Sequence, residues 1–173
     1  MSISSMLKQW TYRKRVKEWP EQPACALEVG LNPASVQGLR IGSSLDDARK
    51  LGRPVVTVIG ATMVVRLDFL KQGVTLEYED DLLDFIGIIL TPDRAMPEEQ
   101  GLSPATVFLT HGNRVALSPA ITAEKMIELL GTPVEDDRDE PERLLSHQIN
   151  GWAVDTEFTR DNKLRRINLF PVY

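Results

Sequence analysis

Cysteine, histidine and long apolar runs are what this chain of 173 residues has least of. Its single cysteine, Cys25, excludes an intrachain disulfide and suits a reducing compartment. His111 and His147 are the only histidines, and neither has a cysteine or carboxylate at zinc-like spacing, so no metal site is expected. No apolar stretch approaches the roughly 20 residues a spanning helix needs, and none follows the opening Met1-Ser2-Ile3-Ser4-Ser5, so neither a transmembrane segment nor a signal peptide is expected. There is no glycine loop that could cradle phosphates and no Gly-x-Ser-x-Gly elbow. Cys25 stands between prolines with no histidine near it in sequence and reads as a small buried thiol. The expectation is a cytoplasmic protein that is not an enzyme and carries no cofactor.

Charge is present but unevenly spread. The net charge is −5, yet residues 1–19 set Lys8, Arg13, Lys14, Arg15 and Lys17 against Glu18, a balance of +4 that leaves −9 on the remainder. An acidic body cannot neutralise phosphates, so no nucleic-acid partner is expected. It would suit a basic protein, because complementary fields speed association. The runs Glu77-Tyr78-Glu79-Asp80-Asp81 and Glu135-Asp136-Asp137-Arg138-Asp139-Glu140 lack the alternating ligands and central glycine of a calcium loop and read as solvated turns. Residues 4–19 read as a basic helix with Met6, Leu7, Trp10 and Val16 as its apolar positions, ended by Pro20 and Pro23 and strapped across the body with its charges in water. Residues 20–40, punctuated by Pro20, Pro23, Gly30, Pro33 and Gly38, read as irregular.

One pattern then occurs twice. Ser43 or Ser44 can cap a helix whose first turn holds Asp46 and Asp47, whose stripe is Leu45, Ala48 and Leu51, and which Leu51-Gly52-Arg53-Pro54 stops. Thr122 can cap a second, with stripe Met126, Leu129 and Leu130, stopped by Leu130-Gly131-Thr132-Pro133. After the first come strands at 55–59, 63–70, 74–79 and 85–90, with Lys71-Gln72-Gly73 as a turn and Val74, Leu76 and Tyr78 on one face. After the second come a charged loop at 135–142 and strands at 144–149, 151–158 and 164–170, with Trp152, Val154, Thr156 and Phe158 on one face. Gly73-Val74 matches Gly151-Trp152 at almost the same distance downstream. Residues 91–104 form a Pro- and Gly-bearing connector, and His111-Gly112-Asn113 turns a hairpin between 106–110 and 114–117.

The order of capped helix, Leu-Gly-x-Pro and antiparallel strands over residues 39–90 and 106–172 resembles the repeat found once in BamE (SmpA/OmlA) lipoproteins and twice in the β-lactamase inhibitory protein. It also resembles small bacterial proteins of unassigned function, some of them suspected immunity proteins encoded beside toxins. The lipidated cysteine of the first group and the paired cysteines of the second have no counterpart here. The resemblance implies a sheet whose face or loops bind another protein. The expected architecture is α+β: an N-terminal helix and irregular segment (1–38), then two tandem helix-plus-antiparallel-sheet repeats (39–95 and 104–173) packed as one unit. The expected function is a non-enzymatic protein-binding module of inhibitor or immunity type. Its candidate interface comprises the aromatic residues Trp152, Phe158 and Tyr78 with the acids Glu77, Glu79, Asp80, Asp81, Asp136 and Asp137, and Trp10 and Trp19 are weaker aromatic candidates. The alternative is a small-molecule or membrane-surface binder anchored by the basic N-terminal helix.

Overall fold

The computed structural model describes residues 3–21, 26–59, 63–93, 95–138 and 142–172; Cys25 lies outside them. The fold is α+β, and its centre is an antiparallel sheet of eight strands. Four come from the first half of the chain: β4 (Val55–Ile59), β5 (Val64–Phe69), β6 (Val74–Glu79) and β7 (Leu82–Ile89). Four come from the second: β10 (Glu135–Asp137), β11 (Arg143–Ile149), β12 (Trp152–Phe158) and β13 (Leu164–Pro171). Each set is a meander, and β7 and β13 pair antiparallel to join them, giving the order β10-β11-β12-β13-β7-β6-β5-β4. Alternation dictates the faces: Val74, Leu76 and Tyr78 of β6, and Val154, Thr156 and Phe158 of β12, are all buried.

Each meander follows a short helical segment. Leu45–Leu51 is a 3-10 helix, with Leu45, Ala48 and Leu51 buried. The Asp47 carboxylate accepts from the Ser44 N–H at 3.0 Å and from the Ser44 hydroxyl at 2.9 Å. Before the second meander stands α2 (Ala123–Leu130), where the Thr122 hydroxyl accepts from the Lys125 N–H. Gly52 and Gly131 end these segments at φ +99° and +92° with ψ near 180°, a conformation that favours glycine.

Three expectations need correction. Residues 27–40 are not irregular: β1 (Leu27–Leu31), β2 (Ala34–Val36) and β3 (Leu39–Arg40) form a second sheet. The hairpin assigned to the second repeat, β8 (Val107–His111) and β9 (Asn113–Leu117), completes that sheet, with β8 parallel to β1. Part of the expected charged loop is strand β10, which pairs with β11 along the outer edge of the large sheet. Its sequence Glu135-Asp136-Asp137 puts three carboxylates on that edge, which discourages edge-to-edge pairing.

Both sheets and both helical segments contribute to one core, including Leu27, Val29 and Leu109 from the small sheet and Ala48 and Met126 from the helices. The helix α1 (Ile3–Val16) lies beside the other outer strand, β4. The Gln9 amide donates to the Val56 carbonyl at 3.1 Å and Lys8 Nζ to the Met63 carbonyl at 2.6 Å. Tyr12 donates to the Asp81 carboxylate, and Arg15 forms a two-pronged pair with Asp46. Among the described residues, no helix is long and apolar enough to cross a membrane.

Candidate functional site

The core covers one face of the eight-stranded sheet. The opposite face can be read from register. One transverse row runs Ser146, Asp155, Asn168, Gly87, Thr75 and Asp68. The adjacent row carries Gln148, Ala153, Phe170, Phe85, Glu77 and Arg66. The rings of Phe85 and Phe170 lie nearly parallel, with centroids 6.3 Å apart and planes 20° from each other. That offset arrangement is favourable for aromatic pairs. Gly87 makes room for it, because a Cβ there would sit 3.0 Å from the Phe85 ring.

These rings floor a shallow groove of about 680 Å³ across β6, β7, β13, β12, β11 and the start of β10. Ala153, Pro171, Val134 and Val172 extend the apolar floor, and Glu77, Asp84, Glu135 and Asp155 supply carboxylates. Burial pushes the Glu77 carboxyl above the ordinary range; Arg66 opposes this and Asp68 and Asp84 add to it. Burial also raises Asp155, with Glu157 and Glu135 reinforcing the rise against the Ser146 hydrogen bond. The groove therefore concentrates carboxylates beside two half-buried aromatic rings.

Of the residues expected at the interface, Glu77 is the one this groove contains. Tyr78 and Phe158 are fully buried in the core and present nothing to a partner. Trp152 is half-buried and packs against the core, and Trp19 is buried. Glu79 and Asp80 are exposed at the β6–β7 turn, where Asp80 and Asp81 adopt φ of +47° and +66°. Asp81 is engaged by Tyr12 and by Arg15, the latter at 3.2 Å. Asp136 is held by Arg143 and Arg138, which keep it well below the usual carboxylate range. Asp137 is exposed and borders a different depression, lined also by Arg143, Arg165 and Arg166. Thus the acidic runs most visible in sequence are partly neutralised, and they give the groove only their first members, Glu77 and Glu135, which Asp84 and Asp155 join from two other strands.

Sequence reasoning missed Phe85, Phe170, Asp84 and Asp155. Asp155 carried a readable signal: it lies between Val154 and Thr156, out of phase with the buried face of β12. Phe85 carried none, because β7 is apolar at nearly every position, whereas in β13 the polar Arg166 and Asn168 precede Phe170 at alternate positions and mark its face. His147 is buried with Nε2 3.1 Å from the Gly131 carbonyl oxygen, and burial holds it below the ordinary histidine range. Among the described residues, no three His, Cys, Asp or Glu side chains converge as a metal site would require.

No protein-family model matches this chain, and no curated protein matches it. One solved structure is similar: a DUF4309 family protein (YjgB) from Bacillus subtilis subsp. subtilis str. 168, at 15% identity over 81% of this chain and 86% of that one, with a TM-score of 0.47.

Proposed function

We propose that this protein is a non-enzymatic protein-binding module of inhibitor or immunity type, and that its open sheet face receives a basic, partly apolar segment of another protein. The observation that carries this reading is the stacked Phe85–Phe170 pair floored among Glu77, Asp84, Glu135 and Asp155. Aromatic side chains supply much of the energy of protein interfaces, and surrounding charge sets partner choice and association rate. The matching order of helical segment and four-strand meander in both halves supports a duplicated unit that builds one wide binding sheet. The lone cysteine supports placing the protein in the cytoplasm.

The test compares wild type with Phe170→Ala and Glu77→Lys as baits for the native partner. The expected result is a stoichiometric basic protein on wild type, released by high salt, with affinity about thirtyfold weaker for Phe170→Ala, equivalent to about 2 kcal/mol. A partner held equally well by wild type and both groove variants would remove the groove from its role.

The groove acids also set a pH dependence. Carboxyls raised above their ordinary value of about 4 take up protons earlier as pH falls. Binding of the basic partner should therefore begin to weaken above the normal carboxylate range. Fold stability changes the other way for these two groups. The folded state binds their protons more tightly than the unfolded chain, so their contribution is fully present below the unfolded pKa and is lost as pH rises through the folded one. Affinity and urea stability measured side by side should diverge on mild acidification in wild type. In Glu77→Gln/Asp155→Asn the divergence should shrink, and an unchanged divergence would assign it to other groups.

A further inference from the structure

The sequence leads one to expect Met6, Leu7 and Trp10 against the body, yet α1 is attached through its other face. Lys8, Gln9, Tyr12 and Arg15 make the polar contacts, and Val16 and Ser5 are buried. Met6, Leu7 and Trp10 are left 57%, 63% and 60% exposed. At 100° per residue, Trp10 and Lys14 fall on one outward face, with Met6 and Arg13 to one side and Leu7 to the other, and Lys17 follows in the turn that ends the helix. That face is apolar in its N-terminal half and cationic in its C-terminal half, and Lys14 Nζ stands 5.4 Å from the centre of the Trp10 ring at the junction. Arg13, Lys14 and Lys17 are all exposed.

We infer that the outward face of α1 docks the protein reversibly onto an anionic lipid surface, with Met6, Leu7 and Trp10 entering the headgroup–acyl boundary and Arg13, Lys14 and Lys17 meeting lipid phosphates. Charge complementarity selects this occupant: the face is cationic although the remaining chain carries −9. Size selects it too. Three apolar side chains on a convex helix fall well short of the roughly 800 Å² per partner of a stable protein interface. A shallow interfacial contact combining an apolar wedge with a basic patch needs no more. The helix stays on the body throughout, since its attachment uses none of these six side chains. This docking is independent of the groove, which opens on the large sheet.

The experiment is flotation of the full-length chain with phosphatidylcholine vesicles, with and without phosphatidylserine, at low and high salt. Flotation is expected only with phosphatidylserine and only at low salt, together with a blue shift of fluorescence that Trp10→Phe abolishes while still floating. Leu7→Ser/Trp10→Ser should lower the bound fraction more than tenfold. Lys14→Glu/Lys17→Glu should lower it about 25-fold or more, since each basic residue near the surface contributes about fivefold. These positions are exposed, so circular dichroism should show all variants folded. Absence of flotation at low salt, or equal flotation of wild type and the two double variants, overturns the inference. A concentration-dependent dimer abolished by the same variants also overturns it, by placing a second copy on this face.

Discussion

Glu99→Gln should lower the unfolding free energy by about 3 kcal/mol, measured by urea titration with an unchanged slope. Glu99 is 0% exposed, and its carboxylate faces Arg165 Nη2 at 2.8 Å and Arg166 Nη2. It also accepts from the Asp93 N–H at 2.6 Å. Two guanidiniums and an amide thus satisfy one buried anion, and the amide of glutamine offers a single neutral oxygen in its place. Breaking a buried pair costs about 3–5 kcal/mol because the remaining charge is stranded. The lower end applies because Glu157 still meets Arg165 at 3.0 Å and Arg166 at 3.8 Å, and Glu142 meets Arg165 at 3.3 Å. The network pins the connector between β7 and β8 onto the large sheet, where the Leu90 and Thr91 N–H groups both donate to the Arg165 carbonyl. Removing both ends of one pair, as in Glu99→Met/Arg166→Met, should cost less than the sum of the single changes by about 1–3 kcal/mol. A Glu99→Gln loss below about 1 kcal/mol would mean that the connector is held by its backbone bonds alone.

What the sequence made legible follows from period and punctuation. Helical stripes closed by Leu51-Gly52-Arg53-Pro54 and Leu130-Gly131-Thr132-Pro133, followed by alternating strands such as β6 and β12, required no tertiary knowledge. The strands β1 to β3 escaped because they are short, broken by Pro33 and Gly38, and completed by a parallel partner, β8, some 80 residues away. The first helical segment is 3-10, and its buried Leu45, Ala48 and Leu51 recur every three residues, the period of that helix. The groove escaped for a different reason. Its Phe85 ring belongs to a central strand apolar at nearly every position, and in Leu82-Leu83-Asp84-Phe85-Ile86-Gly87-Ile88-Ile89 apolarity no longer reports which way a side chain points. The β-bulge between Glu77 and Tyr78 in the β6–β7 pairing shifts that parity further. For α1, apolar periodicity misled because four polar contacts, together with Val16 and the ring of Tyr12 packed on the core, decide which face meets the body.

Gly73→Ala should cost about 3–4 kcal/mol, whereas Gly151→Ala, at the position sequence alignment pairs with it, should cost about 1–2 kcal/mol. Both glycines sit at positive φ, +66° and +83°, where an added Cβ is strained by about 1–2 kcal/mol. The difference lies in what surrounds them. Nothing stands within 4 Å of a Cβ built on Gly151. One built on Gly73 would lie 2.4 Å from the Ser103 carbonyl oxygen, 2.9 Å from that of Ile89 and 3.0 Å from the Ala105 nitrogen. All three are backbone atoms and cannot swing aside like a side chain. They are also held in place: Ser103 N–H donates to Leu70, Ala105 N–H to Ile89, and Ile89 N–H to Gly73 itself. Relief would require the connector to lift from the β5–β6 turn, adding about 1–3 kcal/mol of overpacking to the conformational strain. Thermal or urea unfolding of the two single variants checks this directly. Equal losses would show that φ alone governs both sites and that the connector yields freely. Unequal losses in the stated order would show that the two matched glycines serve different ends: Gly151 only turns its hairpin, while Gly73 also lets the chain cross flush over the first meander on its way to β8.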